Sequence, residues 1–231
     1  MSVKLLFPAF VFHRDFLGKD ADKEPTLMNA EYFDLLKREI DGMRKKDPVG
    51  RKISNAYTGW QSNDGCDQHP TFIKCIRSIK RLVRDELLPF MGLNKDAHRV
   101  DMHNSWANIN DNGAWNRPHL HNGCFYSGVF YIHADGDEGD LTFIDTNHKV
   151  AGAFPGNNRM IESYQIQPKT GHLYIFPSGL MHMVEPNLTN KDRYSISFNL
   201  DVNCMDDKNS RIGWNDSNFE YDIDESGNLI L

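Results

Sequence analysis

The chain has 231 residues, 39% of them hydrophobic and 25% charged, and a formal net charge of -6. This is the composition of a soluble globular protein with room for one large core, and it leaves no tract for a fibrous or low-complexity reading. The acidic balance disfavours a nucleic-acid partner, since phosphate binding needs a basic patch, and no apolar run reaches the length of a membrane span.

The opening segment, MSVKLLFPAFVFHRDF, carries an apolar run from Leu5 to Phe12 that Pro8 divides. It is short, and no small-residue cleavage site follows, so it is expected to be a first strand and not a leader. From Asn29 to Lys46, Tyr32, Leu35, Leu36, Ile40 and Met43 fall on one stripe at helical spacing. Pro48 and Gly50 stop that helix, and its basic end, Met43 to Asp47, reads as a solvated terminus. A second amphipathic helix is expected after Pro70, with Phe72, Ile73, Ile76, Ile79, Leu82 and Val83 on its apolar side and Pro89 and Gly92 at its end. The stretch between the helices, ISNAYTGWQSNDGCD, has the composition of a loop.

Beyond residue 95 short β-branched and aromatic runs alternate with Gly, Asn, Asp and Pro. Strands are expected near His103–Ile109, His119–His121, Tyr126–His133, Asp140–Ile144, Tyr164–Gln167, His172–Phe176, His182–Val184 and Tyr194–Leu200. So many short strands predict a mainly β fold of sandwich, jelly-roll or barrel type, with the helices covering one face. The expectation is a single domain over 1–231: helical support over 1–95, a strand core over 96–201, and a peripheral, acidic, Asn-rich tail over 202–231. Cys66, Cys75, Cys124 and Cys204 form no Cys-x-x-Cys pair, which removes zinc-ribbon and thioredoxin-like readings and suggests reduced thiols in a cytoplasmic setting.

A lone histidine is more often structural than functional, but two of the ten differ by their spacing. In NRPHLHNG, His119 and His121 stand at i and i+2, so on a strand both imidazoles point to one side. A third donor must come from a distant strand, and His182 in FPSGLMHMVEPN is the candidate, because the preceding turn–strand–turn pattern returns the chain beside the first pair. A site of this kind, with three protein donors on one face, leaves positions open for substrate and oxygen on a non-haem iron, although the usual set is two histidines and a carboxylate. Downstream, alternation in RYSISFNL puts Arg193, Ser195, Ser197 and Asn199 on one face and Tyr194, Ile196, Phe198 and Leu200 on the other. If the polar face lines the interior, Arg193 needs a charged partner. A dicarboxylate would supply it bidentately, with Ser195 adding a hydroxyl. If the sheet is half solvated, the same pattern is an ordinary exposed face.

With these residues in place, the sequence resembles the Fe(II)/2-oxoglutarate-dependent oxygenases. His119, His182, Arg193 and Ser195 match that family's motif in type, order and spacing. PHLHNGCFYSGVFYI, IDT, FPSGLMH and RYSISFN, together with LLFPAFVF and TGWQS, resemble a small subgroup of these enzymes with a His-x-His motif. The resemblance implies a double-stranded β-helix (jelly roll, cupin-like), Fe(II) and 2-oxoglutarate as cofactors, and hydroxylation of a small molecule or peptide. It also implies that Asn108, Asn110 and Tyr131 join Arg193 and Ser195 in binding 2-oxoglutarate. Most of the superfamily carries Asp or Glu where His121 stands, so either three histidines hold the metal or a carboxylate, with Asp145 first, completes the set. Two rival readings share the residues: a three-histidine cupin-type dioxygenase that uses no 2-oxoglutarate, and a non-enzymatic jelly-roll binding module. Trp60 and Trp115 are either ligand-stacking residues or core anchors, and the loops at 58–70 and 147–160 are candidate rims for the pocket.

Overall fold

The computed structural model describes residues 9–21, 29–52, 56–146 and 163–205, and the backbone of 222–223 and 229–230. Helix α1 spans Ala30–Lys46; Asn29 caps it by accepting from the Tyr32 amide, and Arg44, Lys45 and Lys46 sit in its last turn, where the negative end of the helix dipole favours them. Helix α2, Ile73–Leu82, passes through a widened turn at Val83–Leu87 into a final helical turn, Leu88–Phe90. Pro89 stands one residue past this wide turn, whose extra residue relieves the clash a proline ring makes with a regular helix.

The strands form two facing sheets. The larger takes the order β1 (Phe12–Asp15), β9 (His172–Pro177), β6 (Tyr126–His133), β11 (Arg193–Cys204), β4 (His98–Asn110) and β3 (Trp60–Gln61). The smaller takes β2 (Ala56–Tyr57), β5 (Trp115–His119), β10 (His182–Val184), β7 (Leu141–Ile144) and β8 (Ser163–Ile166). All pairings are antiparallel. This is the double-stranded β-helix expected, and the strand order shows why: apart from the neighbours β3–β4 and β7–β8 the chain alternates between the sheets, so distant segments such as β5 and β10 end side by side.

Each face of the larger sheet has its own chemistry. The outer face packs on the helices through Phe130, Ile132, Leu173, Ile175, Ile196 and Phe198, all buried with the apolar stripes of α1 and α2. Phe130 meets Phe16 and Phe33 edge-on, and the Tyr194 hydroxyl donates to Asp41 of α1. The inner face is apolar at one end, where Tyr131, Tyr174 and Phe176 meet Leu141, Phe143 and Ile166 of the smaller sheet. Its other end is polar.

One side chain ties two loops together. Asn187, fully buried, donates to the carbonyls of Asn110 and Lys191, accepts from Thr189, and is bonded through its backbone to Gly113 and Ala114. It fixes the β10–β11 connection to the β4–β5 turn.

Several expected boundaries shift. The first strand lies at Phe12–Asp15, starting at the last residue of the apolar run that suggested it, because pairing with β9 selects that register; positions 5–8 lie outside the described residues. The strand expected at His119–His121 is β5, which ends at His119. Strands β4 and β11 run longer than their apolar cores, since each continues pairing with the other down to His98 and Cys204. In the tail, Asp222–Ile223 pairs with Leu229–Ile230 as a small hairpin that its composition did not signal.

Gly128 sits opposite Phe198, and a Cβ there would lie 2.3 Å from the Phe198 ring and 2.7 Å from the Tyr174 carbonyl. Gly128→Ala should therefore lower stability by about 1–3 kcal/mol through overpacking, read from the urea midpoint.

Candidate metal centre

His119 and His182 are direct partners across the β5–β10 pairing, with ring centroids 4.3 Å apart. His121 lies past the end of β5, on the segment that crosses to the larger sheet. Strand alternation therefore does not orient it. Its backbone amide donates to the Ser178 carbonyl, and its ring turns back into the cavity, 5.2 Å from each of the other two rings. One ring nitrogen from each histidine lies within 4.8 Å of the others.

The hydrogen bonds determine which nitrogen is available. Nδ1 of His119 bonds the Arg117 carbonyl at 2.6 Å, Nδ1 of His182 bonds the Leu180 carbonyl at 2.8 Å, and Nδ1 of His121 bonds Asn199 Oδ1 at 2.6 Å. All three acceptors are oxygens, so each Nδ1 carries the proton and each Nε2 presents a lone pair. This tautomer, fixed by an outer partner, is the one a metal-ligating histidine uses.

Burial keeps the rings neutral. His182 is 5% exposed, with Phe176 and Phe143 edge-on or tilted against it. Burial first, then the neighbouring His119 and His121, pull its pKa down to about 3. Burial also lowers His119 and His121 from the ordinary histidine value. Among the described residues no carboxylate joins the cluster. Asp145, the alternative donor, lies exposed past the end of β7 and is not part of it.

Asn199 is a residue the sequence placed on the right face without assigning it a task. Its Oδ1 accepts from His121 and from Ser127, and its Nδ2 donates to Asn104 at 2.7 Å. Every polar atom of the amide but one N–H is thereby used, which fixes the orientation of both the amide and the ring it holds.

A cavity of about 620 Å³ opens beside the histidines. Its floor is the inner face of the larger sheet, laid out in rows by register: Asn110 beside Arg193, then Gln61, Asn108, Ser195 and Tyr131, then Trp106, Ser197 and Val129, then Asn104, Asn199 and Ser127. The polar side of β11 thus faces the interior. Arg193 is 2% exposed. Its Nη1 donates to the carbonyls of Glu138 and Gly139, while its Nε is buried with no partner. The Glu138 carboxylate is turned away to the amides of Asp135 and Gly136. Burial pulls the Arg193 pKa below the usual arginine value. Glu138 and Asp140 act on this cation through space, but its hydrogen bonds go to carbonyls and no carboxylate pairs with it among the described residues, so it can still take an anion.

The other expected residues line the same space. Asn108 donates to the hydroxyls of Ser195 and Ser197 at 3.4 and 3.0 Å, which leaves the Ser195 O–H to donate into the cavity. Tyr131 is buried, and burial raises its pKa although Arg193 acts the other way, so it stays a phenol donor. Asn110 lines the wall near Arg193. Trp60 packs in the core with its Nε1 donating to the Asp47 carbonyl and also borders a smaller chamber next to the cavity; Trp115 is not among the lining residues, and the tryptophan beside the histidines is Trp106, tilted against His121 at 6.1 Å. Of the two candidate rim loops, residues 58–70 contribute Gln61, and 147–160 lies outside the described residues.

Residues 104–199 match a family model described as "Putative 2OG-Fe(II) oxygenase". That span holds every residue of the constellation but not the N-terminal segments LLFPAFVF and TGWQS. Among curated proteins none matches the chain. Solved structures with the same fold include a Pseudomonas putida prolyl-4-hydroxylase, at 16% identity and TM-score 0.52, covering 82% of this chain and 91% of that one. A viral collagen prolyl hydroxylase of Paramecium bursaria chlorella virus-1, in complex with 2OG, is similar at 13% identity and TM-score 0.51, covering 82% and 94%. HygX of Streptomyces hygroscopicus, with nickel and 2-oxoglutarate bound, is similar at 11% identity and TM-score 0.50, covering 80% and 87%.

Two outcomes test the geometry. Asn199→Ala frees the His121 ring and should weaken metal binding by about 10- to 100-fold in chelator competition. Because the folded protein keeps His182 neutral down to about pH 3 while the unfolded chain takes up protons near 6.5, the metal-free protein should lose stability as the pH falls through that window. His182→Leu should flatten this slope in denaturant titrations at successive pH values.

Proposed function

We propose that this chain, a 2OG-Fe(II) oxygenase in its strand core, holds Fe(II) through Nε2 of His119, His121 and His182 and binds 2-oxoglutarate between that point and Arg193. The observation that carries the reading is the meeting, in one cavity, of three neutral imidazoles with free Nε2 lone pairs and a buried guanidinium whose Nε lacks a partner. The donor set fits iron: imidazoles suit it, and three facial donors leave positions open. The cation fits a dicarboxylate, since its far carboxylate meets the guanidinium bidentately. When bound, iron and 2-oxoglutarate supply dioxygen activation, with succinate and carbon dioxide as coproducts and oxidation of the substrate, most simply to an alcohol.

The protein's own contribution is orientation and dryness. Arg193 neutralises the far carboxylate and fixes its distance from the histidines. Ser195 and Tyr131 offer hydroxyl donors on the adjoining row, and Asn108 aims the serine. Phe176, Val129 and Leu141 line the cavity and keep water from its inner end. Three neutral imidazoles leave more positive charge on the metal than two and a carboxylate, which strengthens its hold on an anionic oxoacid.

The same observation weighs against a three-histidine dioxygenase without cosubstrate, which gives the unpaired Arg193 no task. Cys66, Cys75 and Cys124 carry free thiols, which suits a reducing cytoplasm. No helix among the described residues is long and apolar enough to cross a membrane. The substrate is a small molecule or peptide, and the net charge of -6 argues against nucleic acid.

Purified protein given Fe(II), 2-oxoglutarate and oxygen should form succinate slowly even without substrate. Arg193→Ala, checked for fold by circular dichroism, should raise the KM for 2-oxoglutarate by roughly 30-fold or more, the cost of losing one side of a buried charge pair. No succinate from the wild type, or an unchanged KM in the variant, would remove the cosubstrate from the reading.

A further inference from the structure

Charge around the cavity is one-sided. Its charged lining residues other than the histidines are Arg51, Lys52 and Arg193, and no carboxylate is among the lining residues described. Arg193 is committed to the cosubstrate in the reading above, on which this inference rests. Arg51 and Lys52 remain, at the open side.

Their position is built into the fold. The Arg51 amide donates to the Gln61 carbonyl at 2.8 Å, docking the segment on β3. Gly50 has φ +62, and a Cβ there would lie 2.4 Å from that same carbonyl, so glycine permits the close approach. Gln61 pairs with Asn108, which places the two cations at the end of the row that carries Ser195 and Tyr131. Arg51 uses only its Nη1 on Asp64, at 3.0 Å to both oxygens, and Lys52 has no ion-pair partner among the described residues. The pair therefore keeps a net positive charge facing the cavity.

Space and further donors accompany the charge. A second chamber of about 360 Å³ shares Arg51, Lys52, Gln61, Asn108, Asn110 and Asn116 with the main cavity. The combined trough is larger than the cosubstrate requires; the amides Gln61, Asn108, Asn110 and Asn116 border both chambers, and Val49, Trp60 and Ile109 add apolar wall to the second. Amides satisfy hydroxyls, carbonyls and amines alike. The cations, both exposed at the mouth, are what select, because a cleft lined by charge of one sign concentrates the opposite sign.

We infer that the substrate of this oxygenase carries a negatively charged group, a carboxylate or a phosphate ester, which Arg51 and Lys52 hold while Trp106 borders the part presented to the histidines. The anion sets which end of the substrate enters the trough, so these two residues determine specificity and not the chemistry itself.

Anaerobic equilibrium dialysis of the full chain with Fe(II) and saturating 2-oxoglutarate tests this with three probes: phenyl phosphate, benzoate and neutral benzamide. At low salt an anionic probe should be retained about tenfold more tightly than benzamide, and the preference should shrink at high salt. Arg51→Gln with Lys52→Gln should erase it while benzamide retention stays the same. Tighter phenyl phosphate points to a phosphate ester; tighter benzoate points to a carboxylic acid. Equal retention of all three probes would overturn the inference, as would a preference that survives the double substitution. Loss of 2-oxoglutarate retention in the double variant would also overturn it, assigning the pair to the cosubstrate. Labelled 2-oxoglutarate dialysed alone with the wild type reads the cosubstrate claim separately, and the double variant compared without 2-oxoglutarate still reads the anion site.

Discussion

Strand β11 is hydrogen-bonded along both edges, to β4 from Arg193 to Cys204 and to β6 from Tyr194 to Leu200. Its two faces have opposite chemistry. A slip of one residue would drive Arg193, Ser195 and Asn199 into the helix-packed core and turn Ile196 and Phe198 into a polar cavity. Burying the unpaired guanidinium among Leu36, Phe130 and Ile40 would cost far more than any loop could recover. The register of β11 therefore fixes the rows that cross the larger sheet, and with them the position of each donor relative to the histidines. The helices matter to function mainly by covering the apolar side of this strand.

The histidine cluster depends on it as well. His119 and His182 take their ring orientation from backbone carbonyls two residues before them in sequence, a purely local device. His121 has no such support, because its strand has ended, and it takes orientation from Asn199 on β11 instead. An amide in that place accepts the Nδ1 proton without adding charge. A carboxylate would make the ring more basic and the site more nearly neutral overall. The arrangement gives three neutral imidazoles in one tautomer, which on the proposed reading would leave the charge of a bound metal undiminished.

Much of this was readable in the chain. The two helices, the strand-rich core and the sharing of one face by Arg193, Ser195, Ser197 and Asn199 follow from periodicity, because burial imposes a repeat of two on a strand and 3.6 on a helix; that this face points inward is set by the second sheet. The pairing of His119 with His182 was legible from the order of turns and strands. What escaped was set by tertiary contacts. His121 satisfied the spacing argument for the wrong reason, since Ser178 and Asn199 place it rather than a strand. Asn199 carried a signal, its position on the face of Arg193, but its target lies 78 residues away in sequence. Trp60 and Trp115 were open between ligand stacking and core anchoring, and Trp106, which lines the cavity beside the histidines, went unremarked, because nothing local distinguishes a tryptophan facing in from one packed in the core. Arg51 and Lys52 lie in a stretch with no periodicity, and only their docking on Gln61 connects them to the cavity.

Asn187 gives the site a fixed measure. It joins the β10–β11 connection, which links the strand bearing His182 to the one bearing Arg193, to the β4–β5 turn, and so limits how far these strands can shift against each other. On the proposed reading the cavity acts as a gauge: it accepts a diacid by the number of carbons between its ends. A homologue one methylene longer would have to buckle or give up a contact, so discrimination among oxoacids would reside in a buried asparagine that touches none of them.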